Sequence, residues 1–243
     1  VNIIADYDGV LCGDDEFTDK VIKKGVSGNL KILSKYGVGL DKIDLKSAKK
    51  NNIIVRNCPG INQSSVAEHI ISLILTFEKN IHLQYNSVKK GSWKRLVGRE
   101  VRGKTLGILG LGSIGKELAI LSQSFGFNVL VNDIELQSKF LENNKQIKFS
   151  SLEDLFKTSD YISINVPLTN KTKNLVDSKL LNLIKNDSVL INTARGELVN
   201  KNDVINLLHK KKLRGYLCDV LDDEPIKPSE ELLNAPNVII SPH

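Results

Sequence analysis

The sequence predicts an α/β protein whose larger domain is a doubly wound parallel sheet. From Lys104 onwards, short and nearly continuous apolar segments alternate with helical patterns, which is typical of β-α-β units around a buried parallel sheet. A glycine-rich turn follows the first of these segments and opens a helix. The chain of 243 residues is 41% hydrophobic and 26% charged, which suits a globular protein with a sizeable core and excludes a wholly disordered chain.

The first predicted domain spans residues 1–77 and is a smaller α/β unit. Its predicted strands lie at 30–36 and 53–57, with a short helix at 44–50 between them. After a break at Pro59-Gly60, Ser65 and Glu68 have the spacing of a capping box. The helix that they would open carries an apolar stripe that ends at Phe77.

The second predicted domain spans residues 78–243 and begins with a polar connecting helix and loop. After this linker, predicted strands alternate with predicted helices. The strands are 105–109, 128–131, 147–149, 161–165, 188–192, 215–218 and 238–240, and the helices are 114–125, 152–156, 178–184, 203–212 and 229–233. This alternation predicts a Rossmann arrangement, with helices on both faces of a parallel sheet.

Composition also bears on location and partners. The longest apolar stretch, 70–77, is far shorter than the roughly 20 residues of a membrane span. The three cysteines, Cys12, Cys58 and Cys218, lie far apart and indicate neither a disulfide framework nor a metal site, so a cytoplasmic protein is expected. The net charge of +6 is interpreted as a solvated basic surface, then as an aid to binding small anions, with nucleic-acid binding a minority alternative.

The most specific motif is the G-x-G-x-x-G pattern at residues 110–115. It follows an apolar strand and opens an apolar helix, which is the context of a dinucleotide-binding turn. Gly110 permits the tight turn, Gly112 lets the backbone approach a pyrophosphate, and Gly115 lets the helix pack closely on the strand. The backbone at the start of the helix, at Ser113 and Ile114, would offer N–H groups to the phosphates.

Asp133 ends the next strand, near the offset at which an acidic residue binds the adenosine ribose. Its charge would repel a 2′-phosphate, so the predicted cofactor is NAD rather than NADP. The alternative is a purely structural glycine turn followed by a solvated aspartate.

Polar residues also follow the later predicted strands. Arg195 follows 188–192, Asp219 follows 215–218, and His243 follows 238–240. Ligands of open α/β sheets bind beyond the carboxyl ends of the strands, so these side chains are expected at the edge that holds the glycine turn.

The chemistry of these residue types suits a small acid. The fork of Arg195 matches a planar carboxylate, and His243 can transfer a proton near neutral pH. Glu224 is a candidate to orient that histidine. The alternatives are a salt bridge for Arg195, an exposed chain end for His243 and an exposed acidic loop for Glu224. The other histidines, His69, His82 and His209, lie in helical patterns and are expected to be partly buried or solvated.

The combined motifs resemble the D-isomer-specific 2-hydroxyacid dehydrogenases, and among them the phosphoglycerate dehydrogenase-like branch. The resemblance covers nearly the whole chain. The matching stretches are LKILSKYGVGLDKID (30–44), NCPGINQSSVAEH (57–69), GSWKR (91–95), GKTLGILGLGSIG (103–115), NVPLTNKTKNLV (165–176), LINTARGELVN (190–200), CDVLDDEP (218–225) and NVIISPH (237–243).

The resemblance implies a role for each matching position. Arg195 would hold the substrate carboxylate and carbonyl, His243 would be the acid/base, and Glu224 would pair with it. Asp219 would bind the nicotinamide carboxamide. The remaining implied positions are Val166, Pro167, Thr193 and Ala194 for the cofactor, and the backbone of Val38 and Gly39 for the substrate carboxylate.

The implied activity is NAD-dependent hydride transfer between the nicotinamide and a small D-2-hydroxy or 2-oxo acid, as in D-3-phosphoglycerate dehydrogenase. A glyoxylate or hydroxypyruvate reductase of the same family and a non-catalytic, NAD-sensing, corepressor-like module are the alternatives. The protein is expected to form a homodimer and to bind no metal, no nucleic acid and no membrane. Ser113 departs from the family pattern, which often has Arg there, so weaker cofactor binding is expected. Against that pattern, the smaller domain, flavodoxin-like in fold, is expected to be incomplete at both termini.

Overall fold

The structure is a computed structural model that describes residues 3–243. It divides into two compact α/β units, with the boundary between Asn62 and Gln63. In both units all paired strands of the sheets are parallel. The predicted fold class is therefore confirmed.

The first unit is built around a small parallel sheet in the order β1-β2-β3. Its core includes Ile22 and Leu33, which are fully buried. The Asp44 carboxylate accepts a hydrogen bond of 2.9 Å from the Ser47 N–H and so caps a short helix. The elements are β1 (Gly9–Cys12), α1 (Asp19–Val26), β2 (Ile32–Lys35), α2 (Leu45–Lys50) and β3 (Ile54–Arg56).

Strand β1 and helix α1 were not predicted. Strand β1 has no continuous apolar run because Gly9 is exposed and Leu11 points to solvent. Strand β1 is instead stabilised by its parallel pairing with β2, which joins Gly9 to Ile32 and Cys12 to Lys35. Such pairing depends on residues distant in sequence, so local pattern does not reveal it.

The second unit holds a seven-stranded sheet in the order β10-β9-β8-β7-β4-β5-β6. Its strands are β4 (Thr105–Leu109), β5 (Asn128–Asn132), β6 (Lys148–Phe149), β7 (Tyr161–Ile164), β8 (Val189–Asn192), β9 (Gly215–Cys218) and β10 (Val238–Ile240). Its helices are α3 (Gln63–Glu78), α4 (Ile81–Lys89), α5 (Ser113–Ser124), α6 (Ser138–Asn143), α7 (Leu152–Thr158), α8 (Ser178–Leu181) and α9 (Lys201–His209).

The central strands β7, β8 and β9 are buried along their whole length. Apolar clusters lie on both faces of the sheet, which explains why these strands read as continuous apolar runs. Every strand predicted in this unit is present within one or two residues. Helix α6 was not predicted, and the helix expected at 229–233 is a 3₁₀ helix at Glu231–Asn234.

Helix α3 belongs to the second unit, whereas the sequence suggested a boundary at residue 77. Its Ala67, Ile70 and Ile74 are fully buried, and they share a core with Leu118 and Ala119 of α5. Burial against α5 thus assigns the whole helix to the larger unit. The helix also begins at Gln63, so the predicted capping position, Ser65, lies inside its first turn.

Within residues 3–243, no helix combines the length and apolar character that crossing a bilayer requires.

Candidate active site

The glycine turn joins β4 to α5. Gly110 has φ +99°, a backbone conformation that side chains other than glycine rarely adopt, and a Cβ there would lie 2.7 Å from the Asn165 carbonyl oxygen. A Cβ at Gly115 would lie 2.0 Å from the Gly110 carbonyl oxygen. These two glycines are therefore required for the close packing of the turn.

Gly112 differs from its neighbours because a Cβ there would meet nothing within 4 Å. It is the N-cap residue of α5, and no side chain caps this helix end. The backbone N–H groups of the first turn, which starts at Ser113 and Ile114, are then available to an anion at the positive end of the helix dipole. Space at Gly112 and an uncapped helix fit the pyrophosphate of a dinucleotide.

Asp133 lies one residue beyond β5, beside the same turn. Its Oδ2 accepts a hydrogen bond of 2.6 Å from the Leu111 N–H, and its Oδ1 accepts one of 3.2 Å from the Glu135 N–H. The carboxylate is only partly buried, and each oxygen retains a further lone pair. Asp133 is thus oriented by the backbone and fits a ribose diol.

The turn after β7 packs against the glycine turn. A Cβ at Gly110 would lie 3.0 Å from the Val166 side chain. The Pro167 carbonyl accepts a hydrogen bond of 2.6 Å from the Thr172 hydroxyl, which holds this loop. The loop of Val166 and Pro167 therefore lies beside the glycine turn, and its binding of the cofactor stays a prediction.

The loop after β8 is pinned by Asn192, which is fully buried. The Asn192 side chain accepts a 3.1 Å hydrogen bond from the Ala194 N–H and donates a 2.8 Å bond to the Arg195 carbonyl. The Arg195 guanidinium donates a bond of 2.6 Å to the Ala194 carbonyl. Thr193, Ala194 and Arg195 are all half-buried, so this loop combines fixed backbone with accessible side chains.

His243 and Glu224 form a pair in the second unit. His243 Nδ1 lies 2.8 Å from Glu224 Oε2, and the other carboxylate oxygen accepts a 2.8 Å hydrogen bond from the Leu221 N–H. An ionised carboxylate can only accept, so Nδ1 carries the proton and Nε2 is the nitrogen left to react. The side chains are 39% and 29% exposed, so substrate can reach the imidazole.

Asp219 and Ser241 lie one residue beyond the adjacent strands β9 and β10. The Ser241 hydroxyl donates a 2.5 Å hydrogen bond to Asp219 Oδ1. Helix α3 adds His69, whose Nε2 lies 2.9 Å from the Ser241 hydroxyl oxygen and 3.4 Å from Asp219 Oδ1. His69 and Ser241 could not be assigned to this site from the sequence, because no local pattern links helix α3 to this edge of the sheet.

Burial raises the pKa of the Cys218 thiol to about 12, and the neighbouring Asp219 charge adds to the shift. Cys218 therefore stays a neutral thiol beside the site. Burial also raises the pKa of Asp222, although Lys201 acts against that change.

Among residues 3–243, no three or more His, Cys, Asp or Glu side chains converge as a metal site would require.

The first unit holds Val38 and Gly39 in the turn after β2. The Val38 carbonyl accepts a 2.7 Å hydrogen bond from the Asn57 side chain, and the preceding Gly37 has φ +141°. Both residues are half-buried. Asn57 thus fixes the shape of this turn within its own unit.

Sheet order brings together the polar residues that the sequence singled out in the second unit. Because β8, β9 and β10 are adjacent and parallel, Arg195, Asp219 and His243 follow the carboxyl ends of neighbouring strands. The glycine turn follows β4 at the same edge of the sheet. The edge therefore offers an anion-binding helix end, a guanidinium and a paired imidazole.

Known proteins are similar to this chain in sequence and in fold. The sequence profile of the "D-isomer specific 2-hydroxyacid dehydrogenase, NAD binding domain" family matches residues 71–243. The chain is 35% identical to a glyoxylate reductase of Thermofilum pendens over 248 aligned positions, which cover 99% of this chain and 72% of the relative. It is 36% identical to a D-3-phosphoglycerate dehydrogenase of Methanocaldococcus jannaschii over 236 positions, which cover 96% of this chain but 44% of that relative.

Among solved structures, the fold is similar to D-lactate dehydrogenase from Aquifex aeolicus complexed with NAD and lactic acid. The TM-score is 0.89 at 31% identity, and the match covers all of this chain and 77% of the other. The profile match and the two relatives agree with this structural likeness. The chain belongs to the D-isomer specific 2-hydroxyacid dehydrogenase family of oxidoreductases, and residues 71–243 match the NAD binding domain of that family.

Proposed function

We propose that the protein transfers a hydride between NAD and a small D-2-hydroxy or 2-oxo acid, with 3-phosphoglycerate as the first candidate substrate and glyoxylate or hydroxypyruvate as alternatives. The observation that carries the proposal is the 2.8 Å contact between His243 Nδ1 and Glu224. It leaves Nε2 to exchange a proton with a substrate oxygen.

The cofactor would lie along the carboxyl edge of the seven-stranded sheet. The N–H groups at the start of α5 would bind the pyrophosphate, Asp133 the ribose, and Asp219 the nicotinamide carboxamide. The loops at Val166-Pro167 and Thr193-Ala194 would complete its binding surface. Bound NAD supplies the hydride acceptor, and its reduced form the hydride donor.

The chain's own residues would handle the substrate and its proton. In the reducing direction, protonated His243 donates the Nε2 proton to the carbonyl oxygen of the oxo acid. The Arg195 guanidinium binds the carboxylate and stabilises the negative charge that develops on that oxygen. Glu224 accepts the Nδ1–H and so orients the ring. The peptide groups of Val38 and Gly39 are proposed as further ligands of the substrate carboxylate.

Substitution of the acid/base tests the proposal. His243→Ala should lower turnover by about 100-fold or more, the range for loss of a general acid, and should leave NADH affinity unchanged. Arg195→Ala should also lower turnover, since charge on the substrate is no longer stabilised. His209→Ala is the matched control, because His209 is an exposed histidine at the end of α9.

The assay follows NADH consumption with glyoxylate and hydroxypyruvate, and NADH production with 3-phosphoglycerate, so that relative rates identify the substrate. Near-normal turnover in His243→Ala would contradict the assigned role. If the unaltered chain binds NADH but turns over none of these acids, the non-catalytic NAD-sensing alternative is favoured instead.

The preference for NAD rests on Asp133. Asp133→Ala should reduce the discrimination against NADP, because the carboxylate no longer repels a 2′-phosphate. Binding of NADH and NADPH is compared by calorimetry. An unchanged preference would show that Asp133 is not the ribose ligand.

We also propose a homodimer, formed through α4 and the loop that follows it. This segment exposes six large apolar side chains, and exposed apolar surface favours association. These side chains are Ile81, Leu83, Tyr85, Val88, Trp93 and Val97. In sedimentation velocity, Trp93→Ser and Val97→Ser should shift the chain towards a monomer. Ile134→Ser, a change at a fully exposed residue outside this segment, should not.

The proposed location is the cytoplasm. All three cysteines are free, which suits a reducing compartment. Fractionation of cells that produce the protein tests this location.

A further inference from the structure

We propose that His69 is a positioning residue for cofactor binding: acting with Ser241, it fixes Asp219 so that the carboxylate meets the nicotinamide carboxamide in one orientation. The inference rests on the proposed NAD site and adds a residue from helix α3 to it.

The hydrogen-bond chain has a defined direction. Ser241 has one hydroxyl proton, and its Oγ lies 2.5 Å from Asp219 Oδ1, which as a carboxylate oxygen can only accept. The hydroxyl therefore donates to Asp219. His69 Nε2, 2.9 Å from the same hydroxyl oxygen, must then be the donor to it. The same nitrogen lies 3.4 Å from Asp219 Oδ1.

Both side chains thus lie against a single oxygen of Asp219, since the Ser241 hydroxyl donates to Oδ1 and His69 Nε2 lies 3.4 Å from it. Within residues 3–243, the structure shows no hydrogen bond to its other oxygen, Oδ2, which remains available to an amide N–H donor. A carboxamide offers two such donors, and a bond to an ionised acceptor is stronger than one between neutral groups. The His69–Ser241 pair therefore selects which carboxylate oxygen binds the ligand.

The three residues are held in place by separate parts of the second unit. The Asp219 N–H donates to the Asn192 carbonyl at 3.0 Å, and the Ser241 N–H donates to the Cys218 carbonyl at 2.9 Å, so both backbones extend the sheet ladder. His69 is carried by α3, where the adjacent Ile70 is fully buried in the core. Such support keeps a binding group close to its working geometry before the ligand arrives.

The experiment compares NADH with ADP-ribose, which has the pyrophosphate and adenosine but no nicotinamide. Both affinities are measured by calorimetry on the whole chain. His69→Leu should weaken NADH binding by about tenfold, equivalent to 1.4 kcal/mol, and should leave ADP-ribose binding unchanged. His69→Gln, whose amide N–H can replace Nε2–H, should recover most of the NADH affinity.

A merely structural role would not separate the two ligands. Equal weakening of NADH and ADP-ribose, or no weakening of either, would overturn the inference. Failure of His69→Gln to recover NADH affinity would also overturn it, because the donated hydrogen bond would then not be the cause. If the unaltered chain binds ADP-ribose but not NADH, the assignment of Asp219 to the carboxamide fails and the inference with it. If it binds neither, the proposed function fails as well.

Ser241→Ala provides a second route to the same conclusion. Removal of the bridging hydroxyl should weaken NADH binding to a similar extent, with ADP-ribose again unchanged. The double variant His69→Leu/Ser241→Ala should lose little more than either single change, since both act through Asp219. Fully additive losses would contradict a shared action. The comparison does not depend on any one variant folding.

Discussion

Loss of the buried Glu78 carboxylate should destabilise the second unit strongly. Glu78 ends helix α3 and is only 2% exposed. Its Oε1 accepts bonds of 2.5 Å from Arg214 Nη2 and 2.8 Å from the Tyr161 hydroxyl, and its Oε2 lies 3.2 Å from Arg214 Nη1. Glu78→Leu would leave the guanidinium, itself largely buried, without this partner.

The expected loss can be worked from these contacts. Removing one partner of a buried ion pair costs about 3–5 kcal/mol. Arg214 would keep its contacts with Asp187, which are 2.9 Å to the carbonyl and 3.2 Å to the carboxylate, so the lower end, about 3 kcal/mol, is expected. For a unit of this size, that loss corresponds to a fall in Tm of about 6–12 °C.

Urea denaturation followed by circular dichroism measures the free energy of unfolding. The double variant Glu78→Leu/Arg214→Met tests the cause, since removing both charges avoids an unpaired buried charge and should be less destabilising than Glu78→Leu alone. A loss below about 1 kcal/mol for Glu78→Leu, or additive losses in the double variant, would refute this reasoning.

Three further predictions concern the glycine turn, a buried tyrosine and the thiols. Gly112→Ala should weaken NADH binding by about tenfold or more, because the added methyl group occupies the space proposed for the pyrophosphate. Gly13→Ala, at another uncrowded glycine, is the control and should leave NADH binding unchanged. Equal NADH affinities of the two variants in calorimetry would contradict this prediction. Burial and the Glu78 bond raise the pKa of Tyr161, so above about pH 10 the unfolded chain loses this proton first and stability falls as pH rises. Tyr161→Phe should make that fall shallower by up to about 1.4 kcal/mol per pH unit, and an unchanged slope in urea denaturation between pH 9.5 and 11 would argue against the linkage. At pH 8 iodoacetamide should modify the half-buried Cys58 before the fully buried Cys218, because the pKa of Cys218, about 12, keeps its thiol protonated. The order of modification is measured by mass spectrometry at early time points, and the reverse order would contradict this prediction.

Much of the second unit could be predicted because its signals are local. Strands such as β7 and β8 are buried on both faces, so their sequences are almost wholly apolar. The glycine turn was recognisable because steric limits at Gly110 and Gly115 leave little choice of residue. In the first unit the signal was weaker, and the half-exposed strand β1 escaped prediction.

For the candidate site too, the sequence could predict only what depends on local signals. Arg195, Asp219 and His243 could be predicted to share an edge because each follows a strand of a parallel sheet, and parallel strands point their carboxyl ends in one direction. The sequence left the pairing of His243 with Glu224 open against an exposed acidic loop, and the structure places the two side chains 2.8 Å apart. The roles of these residues, and of Val38 and Gly39, stay predictions until the variants are measured.

The sequence by itself determined the α/β class, the dinucleotide-binding turn and the polar residues at the strand ends, because each depends on short-range sterics, periodicity or position along one strand. Only the tertiary structure decided that α3 packs with the larger unit, that Glu78 meets Arg214, and that His69 reaches Ser241 and Asp219. The two side-chain contacts join residues more than a hundred positions apart, at separations of 136 and 172. They follow from the order of strands in the sheet and the packing of a helix across it, which no local pattern encodes.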